Sequence, residues 1–152
     1  MKHWTKDKGD IGVGFVVADL MSRGIHVALP ISEHLPFDCV AISETLQMRR
    51  VSIKFRKMNQ HGIISVPLRS IWTDKHGNHI KQHDKTTYDC IAIYCPDTKI
   101  CYYVRMDEID TLLLTIRVIP SKNNQKKHVK LAKNFEDPER IFASVMAAPS
   151  KR

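Results

Sequence analysis

Residues 49–57, RRVSIKFRK, alternate without a break: Val51, Ile53 and Phe55 fall on one side, and Ser52, Lys54 and Arg56 on the other. A strand turns successive side chains to opposite faces, and a slip of one residue would reverse every one of them. This stretch therefore fixes a strand with one apolar face. LPFDCVAI, residues 35–42, is a second apolar run, interrupted by Asp38. If the two pair as neighbouring strands, a carboxylate and a lysine emerge side by side from an otherwise apolar sheet. Unpaired charge in such surroundings is costly, so the pair calls for a chemical reason.

The chain around them reads as one domain of 152 residues. DIGVGFVVADLMSR, residues 10–23, has apolar residues at helical spacing, with Asp10 as N-cap and Gly24 as stop. Short strands follow at 25–31, 36–42 and 50–56. IISVPLRSIW suggests a strand broken or ended by Pro67, and residues 73–87 read as a polar loop or hairpin tip. YDCIAIYC, residues 88–95, is a buried strand, and ICYYVRM, residues 100–106, completes a hairpin with it. Residues 107–113 suggest a short helix, LLTIRVIP a strand, and residues 136–146 a C-terminal helix with Pro138 in its first turn. Helix, strands and helix in this order give an α/β or α+β fold with a mixed sheet.

Composition limits the partners. The 24 Lys and Arg against 16 Asp and Glu leave a formal charge of +8, which favours an anionic polymer, nucleic acid before membrane. No apolar run approaches the ~20 residues that span a bilayer, and no secretory leader is evident, so a cytoplasmic protein is expected. Cys39, Cys90, Cys95 and Cys101 include no CxxC pair and read as reduced thiols, not a zinc site.

The ordered blocks KGDIGVGFVVADLMSRG, HVALPISEHLPFDCVAI, RRVSIKF and YDCIAIYCPDTKICYY resemble the PD-(D/E)XK endonucleases associated with group I introns, of the cyanobacterial homing endonuclease type. The resemblance covers residues 8–105. It implies an endonuclease-like domain over 1–152: a restriction-endonuclease-like core at 8–106, its mixed sheet flanked by helices, and a basic extension at 121–152. It also implies a divalent metal, Mg²⁺ with Mn²⁺ as an alternative. Asp38, two residues after Pro36, matches the family's metal-binding aspartate, and Lys54 matches its lysine. Ser52 occupies the position of an acidic residue or glutamine, which is a departure. Val13 stands where many relatives carry a glutamate, so Asp10 is the nearest acid on the first helix, with Glu33 as a further candidate.

Phosphodiester hydrolysis needs charge offset on the phosphate oxygens, an activated water and a stabilised leaving group. Mg²⁺ takes oxygen ligands and keeps several waters, so Asp38, the Ile53 carbonyl and Asp10 are the expected ligands. Lys54 would orient the attacking water, and Ser52 would hydrogen-bond a bound water or a phosphate oxygen. Arg69, Trp72, Lys75, His76, His79, Lys81 and Lys85 mark residues 69–85 as the DNA-contacting excursion. Lys122, Lys126, Lys127 and Lys130 extend the basic surface. His76, His79 and His83 read as surface or DNA-facing histidines in preference to zinc ligands. The expectation is a metal-dependent, site-specific endonuclease acting on double-stranded DNA as a homo-oligomer. The alternative is a catalytically decayed DNA-binding protein on the same fold.

Overall fold

The computed structural model describes residues 4–82, 84–121 and 129–143, with the side chains of Ser70, Ile71 and Trp72 excepted. The centre is a five-stranded mixed sheet, built from β1 (His26–Ala28), β2 (Cys39–Ile42), β3 (Met48–Phe55), β7 (Cys90–Cys95) and β8 (Ile100–Arg105), adjacent in that order. The first three pair antiparallel, β3 and β7 run parallel, and β8 returns antiparallel. A parallel pair needs a crossover. Here the crossover contains β4 (Ile63–Pro67), β5 (Arg69–Asp74) and β6 (Gly77–Gln82). β4 pairs with β9 (Leu113–Arg117), and β5 pairs with β6 alone as a two-stranded ribbon.

The mixed α/β architecture agrees with the expected fold class, with particular corrections. Among the described residues the one α-helix, α1, runs Trp4–Ser22, so Asp10 lies inside it and caps nothing. The buried stripe is Gly12, Val16 and Leu20, whereas Ile11 and Phe15 remain 45% and 48% exposed. Phe15 finds its partner on the sheet face beneath α1 instead, stacking on Tyr94 at 4.0 Å between ring centroids. A Cβ at Gly12 would sit 3.5 Å from the Phe55 Cβ, an ordinary van der Waals contact, so α1 lies close on β3 at this turn.

The expected helix at 107–113 is only a 3₁₀ turn, Met106–Glu108, and β9 already begins at Leu113. The expected C-terminal helix is a 3₁₀ turn, Pro138–Phe142, whose first amide, Glu139 N, donates to the Asp137 side chain at 3.0 Å; residues 144–146 lie outside the described residues. Lys122, Lys126 and Lys127 also fall outside them, while Lys130 is half-buried and its carbonyl accepts from Arg117 N at 2.8 Å.

Two apolar layers sandwich the sheet. On one face Val51, Ile53, Cys90, Ala92 and Tyr103 pack beneath α1. On the other, Ile91, Ile93, Tyr102 and Val104 pack against Ile64, Val66, Leu114 and Ile116 of the β4–β9 pair. A second small sheet therefore does the covering on this face that the sequence assigned to helices. Every residue of β7 is buried between these layers.

Gly62 sets the turn into β4. Its φ is +70°, its carbonyl accepts from Val118 N at 2.8 Å, and a Cβ there would lie 2.5 Å from the Ile119 Cβ. Gly62→Ala is expected to lower stability by about 1–3 kcal/mol, through overpacking and backbone strain. A melting temperature equal to that of the unaltered protein would contradict this.

Candidate active site

The geometry begins where β2 starts. Asp38 N donates to Val51 O at 2.8 Å, the residue that Cys39 already faces, so the regular β2–β3 register ends here and Asp38 stands with Cys39 against Val51. The Asp38 carboxylate then turns along the strand edge, and its Oδ2 accepts from Ile53 N at 2.5 Å. Alternate residues of β3 address alternate neighbours: Val51 O and Ile53 N bond toward Asp38, whereas Arg56 N donates to Tyr94 O of β7. In a strand the N–H and C=O of one residue reach the same neighbour. The Ile53 carbonyl therefore points to the Asp38 side, beyond the last paired residue of β2.

Side chains alternate in the other direction. Ile53 packs toward α1, so Ser52 and Lys54 project from the opposite face, beside Ile91 and Ile93 in register. Ser52 is buried at 3% exposure, and Lys54 is half-buried. Burial pushes the Lys54 ammonium below its ordinary range; the Asp38 charge pulls it back up, and Arg56 pushes it down further. A lysine in this setting is nearer to releasing a proton than one on the surface.

Tyr88 is a neighbour that sequence reasoning missed. It is 4% exposed, and its phenol is raised first by burial and then by the Asp38 charge. Nothing local signals this, because Tyr88 precedes β7 and reaches Asp38 only through the fold. Cys39 is chemically quiet beside the site: burial, with Asp38 adding to it, pushes its thiol up to about 12, so a thiolate is disfavoured. All four cysteines are free and buried.

Asp38, Ser52, Ile53 and Lys54 are thus brought together. The remaining expected residues stand elsewhere. Asp10 is exposed on α1, Glu33 is exposed in the loop between β1 and β2, and Val13 packs into the apolar layer under the helix. Among the described residues no three His, Cys, Asp or Glu side chains gather as a metal-binding group. On the ribbon, His76 N donates to Asp74 Oδ1 at 2.7 Å, and the His79 ring lies 3.0 Å from the same oxygen. Arg69, Lys75 and Lys81 are exposed there. His83 and the Trp72 side chain lie outside the described residues. Lys85 leaves the ribbon, and its Nζ donates to Ile109 O at 2.6 Å.

A family model described as PD-(D/E)XK endonuclease matches residues 3–138. Among solved structures, that of a bacterial homing endonuclease, I-Ssp6803I, superposes with a TM-score of 0.69 at 16% identity, covering 91% of this chain and 93% of that one. No curated protein matches in sequence.

The electrostatics give a direct expectation. Asp38→Asn removes the charge that holds the Lys54 ammonium up, so Lys54 should titrate at lower pH in the variant. NMR titration of the Lys54 side chain reads the shift; an unchanged midpoint would mean that the two groups do not interact.

Proposed function

We propose, for a chain that belongs to the PD-(D/E)XK endonuclease family, a metal-dependent, site-specific endonuclease of the homing type that hydrolyses both strands of duplex DNA. The observation that carries this reading is the Asp38 carboxylate seated on the Ile53 amide, one residue before Lys54. Asp38 and the Ile53 carbonyl present oxygens on one side of β3, a donor set suited to a hard cation that keeps most of its waters. Mg²⁺ is the expected ion, with Mn²⁺ as a substitute. When bound, the ion offsets the charge that develops on the phosphate oxygens.

The chain's own residues do the rest. The Ile53 amide fixes one carboxylate oxygen, leaving the other to face the substrate. Lys54, with its proton loosened by burial, orients the attacking water and takes part in its deprotonation. Ser52 contributes a hydroxyl where relatives carry a carboxylate or glutamine. Asp10 is left out of the ligand set because it lies exposed on α1. Arg69, Lys75, His76, His79 and Lys81 on the ribbon, together with Trp72, are the proposed DNA contacts. A two-stranded ribbon has the width to enter a major groove. Cutting two strands requires two sites or two successive events, which favours a homo-oligomer. Among the described residues no helix is long and apolar enough to cross a membrane.

The second reading, a DNA-binding protein that has lost hydrolysis, is favoured by one observation: a buried hydroxyl, Ser52, stands where relatives carry a carboxylate or glutamine, and among the described residues no three His, Cys, Asp or Glu side chains gather as a metal-binding group. Cleavage of intron-bearing and intronless targets in Mg²⁺ separates the two. Intact protein should cut, and Asp38→Ala and Lys54→Ala should each lose at least about 100-fold in rate while still retarding the DNA on a gel. Retardation without any cleavage by intact protein would select the second reading.

A further inference from the structure

At the end of the sheet where β3 and β7 begin lies a cleft of about 590 Å³. Its walls carry four cations, Arg49, Arg50, Lys85 and Arg105, against two carboxylates, Asp89 and Asp107, a formal excess of two positive charges. We propose that this cleft is a phosphate track that grips the DNA backbone a few nucleotides from the scissile bond. The proposal rests on the endonuclease reading and adds Arg49, Arg50 and Arg105 to the contacts expected from residues 69–85 and the C-terminal lysines.

The cleft is continuous with the candidate site in two ways. Arg50 projects from the same face of β3 as Ser52 and Lys54. At ~3.3 Å per residue, its Cα stands about 13 Å from that of Lys54. One DNA strand advances about 3.4 Å along the helix axis per nucleotide, so this separation spans a few nucleotides. Tyr88 supplies the second link, since it lines the cleft and its phenol also feels the Asp38 charge.

The cations are also held ready. Arg50 Nε and Nη2 donate to Asp89 at 3.2 and 2.9 Å, and Arg105 Nε and Nη2 donate to Asp107 at 2.8 and 2.9 Å. Each guanidinium has five N–H donors, so both pairs fix the fork while leaving donors over. Arg49 Nε donates to Ile141 O at 3.0 Å, and Lys85 Nζ to Ile109 O at 2.6 Å. These two cations are anchored on carbonyls, and their charge is not cancelled there. Oriented guanidinium forks with spare donors suit phosphodiester oxygens.

The same arginines also tie the sheet end together, so the test leaves them in place and changes residues beside them. Binding of a short non-specific duplex is measured against salt without divalent metal, for intact protein, Lys85→Gln and Asp107→Asn. Lys85→Gln retains a donor for the Ile109 carbonyl, and its melting curve should be unchanged. Its slope of log affinity against log salt should be shallower by about 0.9, the loss of one phosphate contact. Asp107→Asn adds net positive charge and should tighten binding several-fold. Slopes and affinities unchanged in both variants would overturn the track and leave the endonuclease reading standing. Failure of intact protein to bind duplex at all would remove both. A parallel titration with inorganic phosphate alone identifies a small-anion site: saturable binding lost in Lys85→Gln, with the duplex slope unaltered, would also overturn the proposal.

Discussion

A carboxylate at the open end of a strand needs something to hold it, and here the Ile53 amide does so. Asp38 Oδ2 accepts that hydrogen where β2 has stopped pairing with β3. Without the bond, Ile53 N would be a buried donor lacking a partner, and Asp38 could turn freely into solvent. With it, strand register and carboxylate position become one constraint. The β2–β3 register depends on apolar side chains meeting the layer under α1, so a shift by one residue would misplace the core and the acid together. Local bonding and global packing point to the same arrangement.

The parallel pairing of β3 with β7 extends this. It places Ser52 against Ile91 and Lys54 against Ile93, and that apolar wall is what loosens the Lys54 proton. It also aligns Arg50 with Asp89. The Arg50 hydrogen bond holds the Asp89 carboxyl below the usual carboxylate range, so this link persists at neutral pH and is lost only as pH falls through that lowered value. One strand thus carries the candidate chemistry in its middle and a clamp to its neighbour at its start.

Strand β3 was legible because its two faces differ in polarity; the apolar set could face only the core. Asp38 and Lys54 stood out because charge breaks an apolar pattern. The start of α1 was not legible: Trp4, Thr5, Lys6 and Asp7 are exposed, so no buried stripe marks those turns. The β5–β6 ribbon was legible only as a polar loop or hairpin tip, for a related reason. Among the described residues it is hydrogen-bonded to no other strand, so no buried face marks its outer strand. The approach of Tyr88 to Asp38 and the Arg50–Asp89 pair join residues far apart in sequence, and only the assembled sheet brings them together. Ser52 was legible as a departure from the family pattern, whereas its burial became visible only in the fold.

The central claim is that Asp38 and the Ile53 carbonyl form one face of a divalent metal site beside Lys54. Anomalous diffraction from crystals soaked in Mn²⁺ tests it most directly. The account predicts a single strong peak within coordinating distance of an Asp38 carboxylate oxygen and the Ile53 carbonyl, absent from Asp38→Ala crystals. A peak elsewhere in the protein, or one that survives in Asp38→Ala, would contradict it.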